Sequence, residues 1–248
     1  MKKILIFTVM LLIIPFTLLQ AQIDTLKVGQ TFKNYKNLKP SVSKYMLYSE
    51  KAGKYSPVDV VWVREVQFLN ENGKDIVIVR QQLDAKDTLQ SSVKTAVLTA
   101  NTFVPIRDVT ENTLSRMTTS FSEAKVSLSM DSLKTGANRK MEVDLKVAGY
   151  DFEADEELFS ILPLKENYKV AIPFYQPGTG RPSKYYLYEV TGTEFIDLPD
   201  GGKIECWKIQ SQYTGGTSAW WISKKNQQFI KQQRARADGG FLNKVRLM

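Results

Sequence analysis

The stretch VSLSMD at residues 126–131, followed by MEVDLKV at residues 141–147, decides the fold. In both segments an apolar residue alternates with a polar or charged one. Successive side chains of a β-strand point to opposite faces of a sheet, so this period of two predicts strands with one wet and one buried face. The connection at 134–138 contains Gly136, which tolerates the positive φ of a tight reversal. The two segments therefore predict antiparallel strands joined by a short turn.

Segments of the same character extend in both directions along the chain. Turn signals rich in glycine, asparagine or aspartate separate them, as at 70–73, 200–202 and 215–216. Connections this short imply antiparallel neighbours, because parallel strands need long crossovers. Residues 33–55 are ambiguous between strand and loop. Strands are predicted at 58–69, 75–83, 88–99, 103–109, 167–175, 184–196, 203–213, 218–223 and 228–236.

One short helix is predicted near 155–162. Asp155 is the expected N-cap, and Glu156 and Glu157 suit the positive end of the helix dipole. Pro163 ends the segment, and an apolar side would pack across the mouth or edge of a sheet. The acidic residues from 151 onward are interpreted as the start of this helix. They do not form a calcium loop, because the sixth position is Glu156 where such a loop needs glycine.

A sheet of so many antiparallel strands has to close or curl, because long open edges invite aggregation. The predicted fold is therefore mostly β, a curved antiparallel half-open β-barrel that forms one domain at 22–248. Large apolar residues at alternate strand positions would line its concave side. Each of them also fits an ordinary core position, so the cavity hypothesis depends on the fold. The candidate lining residues are Trp62, Phe68, Met130, Leu145, Tyr186, Tyr188, Trp207 and Trp221.

The first 21 residues predict a cleavable signal peptide. Lys2 and Lys3 precede an apolar run at 4–19, and Ala21 supplies the small residue before the expected cut. A membrane anchor is disfavoured, because spanning a bilayer takes about 20 apolar residues and Pro15 interrupts this run. No cysteine follows that could carry a lipid. We therefore expect export to the periplasm, with no transmembrane segment in the mature chain.

Residue counts exclude several classes of enzyme. Histidine is absent, which removes Ser-His-Asp and Cys-His arrangements and zinc sites built on histidine. Cys206 is the single cysteine, so no intramolecular disulfide is possible. Its alternating segment at 203–209 predicts a buried small hydrophobe and not a nucleophile. We accordingly predict a protein that is not an enzyme, with no catalytic residue, metal or cofactor.

The chain is basic, with 34 Lys and Arg against 26 Asp and Glu and a net charge of +8. An ordinary solvated surface without a partner accounts for this surplus, and export argues against nucleic acid. If the C-terminal basic region binds anything, an anionic envelope surface is the expected target. Lysines there also suit a terminal edge strand, where they block strand pairing. The glycine-rich segment at 176–183 lacks the spacing of a phosphate loop and is predicted to be a hairpin connection. The basic C-terminal residues are Lys224, Lys225, Lys231, Arg234, Arg236, Lys244 and Arg246.

Several short motifs resemble the domain of unknown function 3108 family over roughly residues 40–236. They are TFVPIR at 102–107, LFSILPL at 158–164, VTGTEFI at 190–196, CWKI at 206–209 and WWISK at 220–224. Family members are similar in fold to the periplasmic lipoprotein carriers LolA and LolB, whose curved half-barrel with a helical lid holds acyl chains. The resemblance implies the half-barrel and transfers no catalytic residue.

Three functions follow as hypotheses. The first is a non-catalytic periplasmic module that holds a lipid, another apolar ligand or a lipidated partner against the concave face. The second is a structural component of a cell-envelope assembly. The third is a histidine-free glycoside hydrolase that uses two carboxylates, because aspartate and glutamate are plentiful.

Overall fold

Antiparallel pairing along one continuous sheet organises the computed structural model of the protein, which describes residues 23–198, 201–213 and 216–247, with the backbone alone at 58 and 59. The predicted signal peptide at 1–21 lies outside these residues. One α-helix, α1 (Asp155–Ser160), occurs in the described chain. The strands are β1 (Asp24–Thr25), β2 (Ser41–Lys51), β3 (Lys54–Glu71), β4 (Lys74–Ala85), β5 (Ser92–Thr99), β6 (Pro105–Asn112), β7 (Ser115–Phe121), β8 (Lys125–Ser132), β9 (Asn138–Asp144), β10 (Tyr150–Asp151), β11 (Lys169–Tyr175), β12 (Lys184–Asp197), β13 (Lys203–Tyr213), β14 (Gly216–Ser223), β15 (Phe229–Ala235) and β16 (Phe241–Leu247).

The sheet is assembled from two runs of neighbouring strands. Strands β2 to β9 pair in chain order, and so do β11 to β16, while β16 pairs with β2 and joins the runs. The short strands β1 and β10 both pair parallel with β11. Within the described strands, β9 and β11 share no backbone ladder, so the barrel is unclosed. The prediction of a mostly β, half-open antiparallel barrel with one short helix is confirmed.

Side chains bridge the gap between β9 and β11. Tyr175, at the end of β11, is fully buried among Val126, Leu128 and Val143 of β8 and β9. Its ring meets that of Phe121 edge-on, with 5.6 Å between centroids. The sheet therefore curls far enough to bring its two ends into contact.

The backbone at Gly149 also comes close to the end of β11, where the two ends of the sheet meet. A Cβ added there would lie 2.9 Å from the backbone nitrogen of Tyr175 and 2.7 Å from the Cβ of Ser183. A Cβ does not tolerate contacts this short, so only glycine fits at position 149, directly before β10. The Ser183 hydroxyl also donates a hydrogen bond to the Val147 carbonyl.

Helix α1 packs against one face of the sheet, which we call the inner face. Leu158 and Phe159 are buried in the main core, and the Phe159 ring lies 5.0 Å from that of Tyr188 and 5.3 Å from that of Trp220. The prediction of a helix at the mouth or edge of the sheet is thus refined, because its apolar side sits on the inner face itself.

The predicted N-cap of this helix is wrong. Ala154 occupies the N-cap position without a side-chain hydrogen bond, and Asp155 is the first helical residue. The Asp151 carboxylate instead accepts a hydrogen bond from the Glu153 backbone N–H and caps the preceding 3-10 turn at Phe152–Ala154. Asp155, Glu156 and Glu157 are all buried, which their fit to the positive end of the helix dipole did not indicate.

Two strands lie where the sequence analysis was ambiguous, at residues 33–55, or wrong, in the basic C-terminal region. Ser41–Lys51 forms β2, where Ser43, Tyr45 and Leu47 alternate as buried residues. Phe241–Leu247 forms β16, which pairs with β15 on one side and β2 on the other. The idea that lysines guard a terminal edge strand is therefore wrong, because β16 is not an edge.

Among the described residues, no helix combines the length and the apolar character that crossing a bilayer requires.

Candidate functional site

Buried charges connect helix α1 to the inner face. Arg64 of β3 donates to Glu157 through Nε at 2.8 Å and through Nη2 at 2.5 Å. Lys244 of β16 donates to Glu156 at 2.5 Å. The side chains of both cations are only 3–4% exposed, and those of the two glutamates 5–6%. Two basic residues from separate strands thus pair with consecutive residues of the helix.

The ionisation of this cluster follows from burial and from the opposing charges. Burial alone would lower the pKa of Arg64, but the charges of Glu156 and Glu157 outweigh it and raise that pKa well above its ordinary value. Burial would raise the pKa of Glu156, yet Arg64 and Lys244 hold it below its usual range. Burial lowers the pKa of Lys244, an effect that Glu156 opposes. The charged forms of Arg64 and Glu156 are therefore favoured in the interior.

A second group of buried carboxyls lies beside the first. Asp108 on β6 is 0% exposed and Asp151 is 1% exposed. The carboxylate of Glu153, close to both, accepts hydrogen bonds from Lys94 at 2.7 Å and Gln81 at 3.0 Å. Burial and the charge of Glu153 raise the pKa of Asp108 to about 7. Burial and the charges of Asp108 and Glu153 raise the pKa of Asp151 well above its ordinary value.

These shifts predict a stability that falls from about pH 4 to about pH 7 and then levels off. An unfolded aspartate has a pKa of about 3.9. The folded chain therefore keeps a proton on Asp108 that the unfolded chain has lost, and the free energy of unfolding decreases as pH rises from the unfolded pKa to the folded one. Asp155 acts in the same direction, because burial and Glu156 raise its pKa to about 7. Thermal denaturation from about pH 4 to about pH 8 measures the slope.

The variant Asp108→Asn is expected to flatten that slope, by at most about 1.4 kcal/mol per pH unit, and to be more stable than the parent at pH 8. Asp84→Asn removes an exposed carboxylate of β4 and is the matched control, for which the slope stays as in the parent. A parent protein whose stability rises between pH 6 and pH 8 would contradict the assignment.

A large cavity opens on the inner face beyond helix α1. It has a volume of about 660 Å³ and is lined by residues of β11 to β15, by the loop between β11 and β12, and by Lys146 and Phe152. We call it the inner cavity. The loop at 176–183 was predicted as a hairpin connection, which is confirmed, and it forms one wall of this cavity.

Aromatic rings form the floor of the inner cavity. Trp220 lies 5.5 Å from Tyr188, and Phe174 lies 6.1 Å from Tyr188 and 5.3 Å from Phe152, all measured between ring centroids in edge-on contacts. Such pairs are held in fixed positions by their packing. Tyr188 and Trp220 are only 2–3% exposed, so the floor is continuous with the main core.

Polar groups surround this floor. Ser211 and Ser218 are buried beside it, and Gln176 and Gln232 line the walls. Basic side chains also line the cavity, and each is exposed to solvent: Lys146, Arg181, Lys184 and Arg234.

A smaller cavity lies beside strands β7 to β9. It measures about 490 Å³ and is lined by three methionines of neighbouring strands, Met117, Met130 and Met141, together with Leu128 and Gly178. The loop at 176–183 therefore contributes to both cavities. We call the second one the methionine cavity.

The amino-acid sequence matches the profile of the family described as "Protein of unknown function (DUF3108)" over residues 45–243. The chain belongs to the DUF3108 family. A search of curated proteins finds no match for this DUF3108 chain. Among solved structures, it is similar to the crystal structure of a DUF1329 family protein from Desulfovibrio piger, with 10% identity and a TM-score of 0.30 over 86% of this chain and 85% of that one. The identity and the TM-score are too low to support an argument about this chain. The half-barrel assignment rests on the strand pairing itself.

Three of the predicted lining residues of the DUF3108 chain line the inner cavity or the methionine cavity. Tyr186 and Tyr188 line the inner cavity, and Met130, which is 43% exposed, lines the methionine cavity. Sequence reasoning missed Phe174 and Trp220, although both lie within strands predicted correctly.

Four other predicted residues belong to the core packing. Trp62, Phe68 and Trp207 are partly buried against the main core on the inner face. Leu145 packs against the small cluster around Tyr175. None of these four lines the inner cavity.

Trp221 lies on the outer face, which corrects its predicted place on the concave side. It belongs to a separate cluster with Cys206, Ala219 and Ile230, and its Nε1 donates to Glu194 at 2.8 Å. The tryptophan of the pair that faces the inner cavity is Trp220. Strand alternation requires the two indoles to point to opposite faces, but it does not say which one points inward.

Cys206 is confirmed as a buried small hydrophobe. It is 0% exposed, and burial raises the pKa of its thiol to about 12, so little thiolate forms at neutral pH. In the described part of the DUF3108 chain, no group of three or more cysteine and acidic side chains has a geometry that could hold a metal ion.

Proposed function

We propose that the protein is an exported, non-catalytic binding protein that holds an apolar or amphiphilic ligand, or the lipid of a lipidated partner, in the inner cavity. The observation that carries the proposal is a cavity of about 660 Å³ with an aromatic floor. Small-molecule sites in proteins occupy about 300–1,000 Å³ and are lined mainly by apolar and aromatic side chains. The sequence at 1–21 supports export to the periplasm, where such ligands occur.

Burial of an alkyl chain supplies the driving force. Each buried methylene contributes about 0.8 kcal/mol, so eight methylenes contribute on the order of 6 kcal/mol before the cost of immobilising the ligand. The rings of Phe174, Tyr188 and Trp220 already pack against one another, so little ordering of the protein is needed on binding.

Native mass spectrometry of the purified mature protein tests the proposal. We expect one bound amphiphile per chain after gentle isolation, and saturable binding of a fluorescent fatty acid after delipidation. A protein that carries no amphiphile and fails to bind the probe would contradict the proposal. Mass measurement of the periplasmic form checks the predicted cut after Ala21.

The geometry gives the glycoside hydrolase hypothesis little support. Glu156 and Glu157 line a small cavity of about 110 Å³, but both are engaged by Arg64 or Lys244. Asp108 and Asp151 are fully buried. A glycosidase needs one carboxylic acid and one free carboxylate on either side of a sugar, and these groups do not offer that arrangement.

A further inference from the structure

We propose that the inner cavity selects amphiphiles with an anionic head group over zwitterionic and neutral ones of the same chain length. This inference rests on the proposed function and adds the class of ligand. The observation behind it is the charge of the lining. Four of the lining side chains are cationic, and none is acidic: the cations are Lys146, Arg181, Lys184 and Arg234.

Among the described residues, no acidic side chain forms an ion pair with any of the four cations. The ion pairs formed by the described residues use other lysines and arginines. On the outer face, by contrast, Lys208 pairs with Glu194 at 2.6 Å. Uncompensated charges of one sign around a low-dielectric cavity raise the local concentration of the opposite charge. The four cations that line the inner cavity therefore favour a ligand with an anionic group.

The cations come from separate segments of the chain and converge on one cavity. Lys146 follows β9, Arg181 lies in the loop between β11 and β12, Lys184 begins β12, and Arg234 lies on β15. Lys184 lies 4.9 Å from the centroid of the Tyr186 ring, which belongs to the same lining. A ligand that places its alkyl chain on the aromatic floor can therefore leave its head group among these cations.

Arginine suits this task because its planar guanidinium donates two parallel hydrogen bonds to phosphate or carboxylate oxygens. Arg181 and Arg234 are both exposed, so they are free to adjust to a head group. We expect a phosphate or carboxylate head to contact this pair.

Binding of three ligands with the same decyl chain tests the inference. Decyl phosphate, decyl phosphocholine and decyl maltoside carry an anionic, a zwitterionic and a neutral head, and each is titrated below its micelle concentration. We expect decyl phosphate to bind about tenfold more tightly than the other two, with an advantage that shrinks as salt is added. In Arg181→Gln/Arg234→Gln the ratio of the affinities for decyl phosphate and decyl maltoside should fall below about threefold.

The matched control removes two charges elsewhere. Lys39 and Lys225 line a separate open groove, also basic, so Lys39→Gln/Lys225→Gln loses the same net charge away from the inner cavity. This variant should keep the full preference. If it loses as much preference as the arginine variant, the effect comes from net charge and the inference is overturned.

The remaining outcomes separate the inference from the function on which it rests. Equal affinity for the three ligands overturns the head-group preference and leaves the binding function standing. Failure of all three to bind overturns the proposed function itself. Inorganic phosphate is added as a competitor, and if it displaces decyl phosphate at equal concentration, the site binds free anions and the amphiphile assignment is wrong.

Discussion

Replacing Arg64 with methionine is expected to lower the free energy of unfolding by about 3–5 kcal/mol. The guanidinium of Arg64 donates to Glu157 and to the backbone carbonyl of Glu153, and it lies 3.5 Å from Glu156. Without it, the acidic first turn of α1 keeps Lys244 as its cation in the cluster. A buried charge that loses its partner remains desolvated, which makes this the largest effect we expect from a single substitution.

Denaturant unfolding of three variants measures the effect. Arg107→Met removes an exposed partner of Glu71, at 3.6 Å, and should cost less than about 1 kcal/mol. Arg64→Met/Glu157→Gln removes both charges of the buried pair and should recover part of the lost stability, because it leaves fewer unpaired charges inside. An Arg64→Met variant no less stable than Arg107→Met would show that these charges do not hold α1 on the sheet.

Filling the inner cavity by Ser211→Phe is expected to abolish binding of the fatty-acid probe. Ser211 is 7% exposed and lines the cavity opposite Ser218 of the next strand. A phenyl ring there occupies the space above the aromatic floor that the alkyl chain would fill. We expect the affinity for the probe to fall by at least about a hundredfold, which corresponds to about 2.7 kcal/mol.

The neighbouring substitution Gln212→Phe is the matched control. Gln212 is exposed on the outer face of the same strand, so the same ring is added one residue away and on the other side of the sheet. The control should bind the probe as the parent does. Circular dichroism and a melting curve for both variants verify folding, and a folded Ser211→Phe protein with unchanged affinity would move the ligand out of this cavity.

The half-barrel could be predicted because its signal is local. In β8 and β9, apolar and polar residues alternate, which shows which side chains share a face of the sheet. Short turns that contain glycine indicate that the strands they join are antiparallel neighbours. Strand β7, with the sequence SRMTTSF, was missed because it is mostly polar and buries Thr119 alone. The two-residue strands β1 and β10 exist only through pairing with β11 and have no signal of their own.

The buried charges could not be paired from the sequence. Arg64 and Glu157 are 93 residues apart, and Lys244 and Glu156 are 88 apart, so their contact depends on how the sheet curls. A signal for Arg64 was present nevertheless. It shares a strand face with Trp62 and Val66, and a charge within an apolar face indicates a buried partner.

The cavity itself is a product of long-range packing. Tyr186 and Tyr188 were predicted to line it because large apolar residues alternate along β12. Trp221 was placed on the wrong face, because alternation along β14 puts Trp220 and Trp221 on opposite faces without showing which of them points inward. The sequence named Arg234 within the basic C-terminal region but did not place it with Lys146, Arg181 and Lys184, because the four cations come from three distant segments of the chain.

A crystal structure of the mature protein with a decyl phosphate analogue brominated at the end of its chain would show where the ligand lies. We expect anomalous bromine density within the inner cavity, close to Tyr188 and Trp220, and head-group density near Arg181 and Arg234. Bromine density confined to the outer face, or an inner cavity filled by protein side chains in the ligand's presence, would contradict this expectation.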